Sequence, residues 1–121
     1  MKILLVEDHE DVAEITLSRL ERLHEVEWAA TGAQALESAR SSPPDLLLID
    51  IGLPDMSGHD LVRALRADPR FVDATMIALS GYNDSDERRA ALEAGFDAYY
   101  TKPMNFSLLE EERARTARRQ G

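Results

Sequence analysis

Three short runs in this chain, Ile3 to Val6, Leu46 to Ile49 and Met76 to Leu79, are apolar without interruption. The next residue in each case is polar: Glu7, Asp50 and Ser80. A strand with one solvated face alternates apolar and polar residues. A run that does not alternate fits a strand covered on both faces, as in a parallel sheet with helices above and below. Few folds meet that demand, and in this chain each such run gives way to a polar residue at its end.

The segments between the runs read as helices. A helix is predicted from about Asp11 to Leu23, with Asp11 and Glu14 spaced as a capping box. Val26, Trp28 and Ala30 alternate with more polar neighbours, which predicts a half-solvated strand. Thr31 and Gln34 open a second helix to about Arg40. Ser57 caps a third, running to about Ala67. A fourth spans about Ser85 to Ala94 and stops at Gly95. Ala98 to Thr101 is a fifth strand, and a final helical segment covers about 107–119. Strands alternating with helices predict a doubly wound α/β fold. The alternating second strand belongs at an edge. The order 2-1-3-4-5 satisfies this and is the flavodoxin-like (βα)5 arrangement, with its site beyond the carboxyl ends of the strands. One domain over 1–121 is expected, with a core of about 2–105.

Composition narrows the chemistry. The formal net charge of −9 disfavours nucleic acid or an anionic membrane as a partner. The chain has no cysteine, which excludes disulfides and thiolate chemistry. Four apolar residues after Met1-Lys2 are too few for a signal peptide, and no stretch is long enough to span a bilayer. A cytoplasmic protein is the expectation.

The strand ends carry the functional argument. The first strand ends in Glu7 and Asp8, the third in Asp50, the fourth in Ser80-Gly81 and the fifth in Lys102-Pro103. The second, the edge strand, ends without charge. Three carboxylates on one rim repel, by about 4 kcal/mol per pair at about 4 Å and an effective dielectric of 20. A divalent cation relieves this, and hard oxygen donors favour Mg²⁺. A carboxylate beside Mg²⁺, a hydroxyl and an ammonium suits phosphoryl transfer: Asp50 attacks, Lys102 and the cation neutralise the equatorial oxygens, and Ser80 donates to one of them. The chain has twelve arginines and two lysines, yet keeps lysine at 102. A compact ammonium reaches one oxygen where a planar guanidinium fits poorly.

Leu4-Leu5-Val6-Glu7-Asp8, Asp50 to Gly58, Ala78-Leu79-Ser80-Gly81, Ala94 to Tyr99 and Lys102-Pro103 together resemble the receiver domain of two-component response regulators. The resemblance covers roughly residues 2 to 105, and from Ile77 to Pro103 it looks most like receivers attached to hybrid histidine kinases. It implies that Asp50 accepts a phosphoryl group from a histidine kinase or histidine phosphotransfer protein. It implies Mg²⁺ held by Asp8, Asp50 and the Gly52 carbonyl, with Glu7 acting through water. Ser80 and Lys102 would contact the phosphoryl oxygens, and Tyr99 would be the aromatic switch answering Ser80. The surface around the fourth helix and fifth strand would then signal to a downstream protein. Gly52 and Tyr82 occupy positions that tune phosphate lifetime, and Lys102-Pro103 looks like the family's cis peptide bond. With no output domain following, the chain reads as a stand-alone receiver or an excised one.

Other readings fit less well. An aspartyl-phosphate phosphatase would want a second aspartate two residues past the nucleophile, where Gly52 stands. A flavin- or nucleotide-binding module would want glycines in the first strand–helix turn, which instead reads Glu7-Asp8-His9-Glu10-Asp11. The protein is therefore expected to be a signalling receiver with self-phosphorylation and autodephosphorylation chemistry, not an enzyme. His9 adjoins the site and reads as a bystander. The final segment lacks an apolar stripe past Leu109, so its distal turns are expected to fray or to dock on another chain.

Overall fold

The continuous apolar runs form the centre of one sheet. The computed structural model describes the backbone of residues 1–120 and the side chains of residues 1–118. Its elements are β1 (Lys2–Val6), α1 (Glu10–Leu20), β2 (Glu25–Ala29), α2 (Gly32–Ser41), β3 (Leu46–Asp50), α3 (Gly58–Arg66), a 3-10 turn (Pro69–Phe71), β4 (Thr75–Ser80), α4 (Ser85–Ala94), β5 (Ala98–Thr101) and α5 (Phe106–Gln120). The five strands lie in the order β2-β1-β3-β4-β5, all parallel, as the sequence predicts. β2 is at an edge.

Period two divides the core into two layers. Leu4, Val6, Leu47, Ile49, Met76 and Ala78 face α2, α3 and α4. Ile3, Leu5, Leu46, Leu48 and Ile77 face Ala13 and Leu20 of α1 and Leu109 of α5. Every residue of β3 and β4 is buried. Each buried leucine or isoleucine contributes about 1.5–3 kcal/mol, which is why these strands tolerate no alternation.

Local signals set most boundaries. Thr31 and Ser57 accept from the backbone N–H groups of Gln34 and Asp60, capping α2 and α3 as predicted. Gly95 ends α4 at φ 128°, a conformation that a side chain would strain. Two expectations need correction. Helix α1 starts one residue early, with His9 at its N-cap and no side-chain cap, so Asp11 and Glu14 do not form a capping box. In β2 the strand stops at Ala29, which joins the α2–α4 layer, while Val26 packs in the other.

The expectation that nothing anchors the tail past Leu109 also needs correction. Helix α5 continues to Gln120, and Thr116 is completely buried. Its hydroxyl hydrogen-bonds to that of Thr75 at the start of β4 and donates to the Glu112 carbonyl. Glu110–Arg113 and Glu112–Arg115 pairs line the helix at 2.7 and 2.5 Å. The anchor is polar, so a search for an apolar stripe overlooks it. Thr116→Val should strand the buried Thr75 hydroxyl and cost about 1–3 kcal/mol, whereas the Thr75→Val/Thr116→Val double variant should cost less than the two single changes added together. Urea unfolding of the four proteins reads this. Additive losses would mean that the two hydroxyls do not depend on each other.

Candidate functional site

Register and parity assemble the rim. Val6 lies opposite Ile49 and Leu48 opposite Ile77, so Glu7, the next residue, stands beside Asp50. Glu7 follows the parity of Leu5, Asp50 that of Leu48 and Lys102 that of Tyr100, and all three of those belong to the layer under α1 and α5. The three side chains therefore emerge on one side of the sheet and meet. Lys102 Nζ donates to Asp50 Oδ2 at 2.9 Å and to Glu7 Oε1 at 3.0 Å. The Gly52 N–H donates to Asp50 Oδ1 at 3.0 Å. The Lys102-Pro103 peptide is cis, as expected from the resemblance.

Both carboxylates are buried, Glu7 at 1% exposure and Asp50 at 6%. Burial pushes the Glu7 carboxyl up to about 7, and its hydrogen bond with Asp50 acts in the same direction. For Asp50, burial alone would raise the carboxyl. Hydrogen bonds from Glu7, Lys102 and the Gly52 N–H outweigh it and hold Asp50 below the ordinary aspartate range. Burial opposes the charge on Lys102, but the two carboxylates outweigh it and raise the ammonium. In the pair, Glu7 keeps the proton and Asp50 keeps the charge. As a carboxylate, Glu7 leaves Oε2 buried with no donor.

One ligand atom from each of Glu7, Asp8, His9 and Asp50 lies within 4.8 Å of the others. A buried oxygen without a donor, among hard carboxylate oxygens, fits a hard divalent cation. Glu7, Asp8 and Asp50 are the carboxylates able to hold one.

Ser80 and Tyr99 are not brought to Asp50. Ser80 follows the parity of Ala78 and faces α4. Its hydroxyl accepts from the Tyr82 N–H at 3.1 Å and donates to Glu87 Oε2 at 3.4 Å. Tyr99, 2% exposed, donates to the Tyr82 carbonyl at 2.5 Å and lies 3.5 Å from the same Glu87 oxygen. The Arg88 guanidinium sits 5.3 Å from the centre of its ring. The Tyr82 side chain is open to solvent at 70% exposure, and a Cβ at Gly81 would meet nothing within 4 Å.

The chain matches the family model of the response regulator receiver domain over residues 3–113. The chain belongs to that family. The receiver is 39% identical to the transcriptional regulatory protein KdpE of Mycobacterium tuberculosis over 103 residues, 84% of this chain and 44% of that protein. It is 38% identical to the transcriptional regulatory protein PrrA of the same species over 122 residues, 99% of this chain and 51% of that protein. The chain thus spans about half the length of these curated relatives. Among solved structures, a CheY-like receiver domain protein from Methanospirillum hungatei superposes with a TM-score of 0.86 at 32% identity, covering 98% of this chain and 95% of that one. One from Methylobacillus flagellatus gives 0.84 at 33%, covering 96% and 98%. Receiver domains are signalling proteins of two-component systems rather than classical enzymes, and response regulators act with histidine kinases and downstream effectors. Among the described residues, no helix is long and apolar enough to cross a membrane.

Several rim-supporting residues escaped the sequence reading. The Trp28 indole donates to the Glu7 carbonyl at 2.8 Å, and the Glu7 N–H donates to the Ala29 carbonyl at 3.0 Å, so the edge strand ties down the acidic turn. Asp55 accepts from the N–H groups of Gly32 and Ala33, fastening the loop after Asp50 to the start of α2. At the opposite, amino end of the sheet, Arg66 pairs with Asp97 at 2.7 Å and donates to the carbonyls of Gly95, Phe71 and Ala74.

The raised Glu7 carboxyl gives a pH test on chelated protein. Its folded value of about 7 lies above the ordinary 4.5. The folded chain therefore binds the extra proton between those values. The stability this contributes is complete below pH 4.5 and is lost as pH rises through about 7. The denaturation midpoint should fall across this window, and Glu7→Gln should flatten the fall. A wild-type midpoint that rises there would exclude a protonated Glu7.

Proposed function

We propose that this chain acts as one phospho-acceptor domain of a cytoplasmic two-component phosphorelay, with Asp50 as the acceptor. The observation that carries this reading is Asp50 itself: buried, charged, and held by Lys102 and the Gly52 N–H beside Glu7, whose Oε2 has no donor once Glu7 is a carboxylate. A bound Mg²⁺ would supply positive charge to the carboxylate cluster and to the phosphoryl oxygens. Asp8, Asp50 and the Gly52 carbonyl would hold it, with Glu7 acting through water. An Asp50 oxygen forms a bond to phosphorus, the phosphorus–nitrogen bond of a phosphohistidine breaks, and the imidazole of a histidine kinase or phosphotransfer protein leaves. Lys102, already at the carboxylate, then neutralises one phosphoryl oxygen and Ser80 donates to another. Gly52, which offers no side chain, and Tyr82 set how long the acyl phosphate survives. The same chemistry supports self-phosphorylation from a small acyl phosphate and later hydrolysis.

The test is intact mass after incubation with acetyl phosphate and Mg²⁺. The wild type should gain one phosphoryl group, and Asp50→Asn should gain none. Asp8→Ala should lose most of the labelling while staying folded. Normal labelling of Asp50→Asn would remove Asp50 from the reading.

Signalling would run through the contacts on the far face of the sheet. A phosphoryl group adds about −1.5 to −2 charges. Drawing the Ser80 hydroxyl towards it breaks the bonds to Tyr82 and Glu87, which also hold Tyr99. Phosphorylation of the wild type should therefore shift amide resonances across α4 and β5, towards an unidentified downstream protein. Ser80→Ala should still label at Asp50, with shifts confined to the loop after β3. Equal spread in both proteins would remove Ser80 from the relay.

A further inference from the structure

The proposed phosphoryl chemistry leaves the imidazole of His9 unused. His9 is the N-cap residue of α1, yet its side chain caps nothing. Its ring is 69% exposed, and Nδ1 lies 3.2 Å from Asp8 Oδ1. An exposed contact of that kind contributes little stability, about 0–1 kcal/mol at most. Neither a capping role nor an ion-pair role accounts for the placement. A ligand role does, because one His9 nitrogen falls within 4.8 Å of ligand atoms of Glu7, Asp8 and Asp50. When Glu7 is a carboxylate its buried Oε2 has no donor, a place that a cation on this rim would fill.

Imidazole changes which ions such a rim prefers. Mg²⁺ selects oxygen ligands and water. Borderline ions such as Ni²⁺ and Zn²⁺ gain from a nitrogen donor, and Ni²⁺ stands well above Mn²⁺ in intrinsic affinity for mixed N/O sites. We infer that His9 is a specificity-determining ligand: it joins the carboxylates of Glu7, Asp8 and Asp50 and admits borderline divalent cations to the site that otherwise takes Mg²⁺. This rests on the reading that the rim binds a divalent cation. The exposed ring has room to turn onto an ion, and its position directly after Asp8 keeps it there. The other two histidines lie elsewhere. His24 binds Glu110 on α5, and His59 packs edge-on against Phe96.

Isothermal titration of the full chain with Ni²⁺ and, separately, with Mg²⁺ tests the inference in wild type, His9→Ala and Asp8→Asn. The ratio of Ni²⁺ to Mg²⁺ affinity should fall at least about tenfold in His9→Ala, since even outer-shell partners of a metal ligand are worth roughly 10–100-fold. Ni²⁺ should also broaden or shift the His9 ring resonances of the wild type before those of His24 and His59. A ratio unchanged within about twofold, with Mg²⁺ still bound, would overturn the ligand role of His9 and leave the phospho-acceptor reading standing. Ni²⁺ binding that survives Asp8→Asn at full strength would place the ion elsewhere and also overturn it. A wild type that binds neither ion would overturn both readings.

Discussion

Covering both faces of β3 with hydrocarbon leaves that strand a single place for polarity, its last residue. The four residues before Asp50 are 0% exposed. A charge at any of them would be buried among leucines with no partner, at a cost of several kcal/mol. The same demand acts on β1 and β4, which flank it. Charge and hydroxyl groups are thereby driven to the carboxyl rim, where the backbone turns away and donors become available. The site follows from the burial of the sheet.

The pleat then sorts the rim residues into two groups. Glu7, Asp50 and Lys102 continue the layer that packs on α1 and α5, and they form one ionic cluster. Ser80 and Tyr99 continue the opposite layer and meet Glu87 of α4. The sheet separates the ionic cluster from the Ser80–Glu87–Tyr99 contacts by the thickness of one strand. Ser80 sits at the end of β4, where its hydroxyl is held by the Tyr82 N–H and Glu87.

Lys102 holds the uncharged-by-pairing state of the cluster together. One ammonium faces two carboxylates, and the remaining excess of negative charge is met by a proton on Glu7. Below about pH 7 a proton on Glu7 meets that excess, and above it a cation would have to. This links the stability of the domain to the occupancy of its site, because whatever neutralises Glu7 also stabilises the end of β1. Trp28 and Asp55 extend that link outward, to the edge strand and to α2.

Apolar runs, turn residues and caps are local, so the sequence determined by itself the order of strands and helices, the edge position of β2, the end of α4 at Gly95 and the presence of Asp50, Ser80 and Lys102 at strand ends. Family motifs added the cis bond at Lys102-Pro103. Tertiary structure alone decided which of those residues meet. Ser80 and Asp50 look equivalent in the sequence, yet strand parity and register put them on opposite faces. The anchoring of α5 was invisible for a related reason: Thr116 is buried because Thr75, distant in sequence, offers it a hydroxyl. The closeness of His9 to Glu7 and Asp50 was likewise invisible until the strands were placed side by side. Local propensity fixes the elements; pairwise distances between them, which carry the chemistry, arise only when the sheet closes its register.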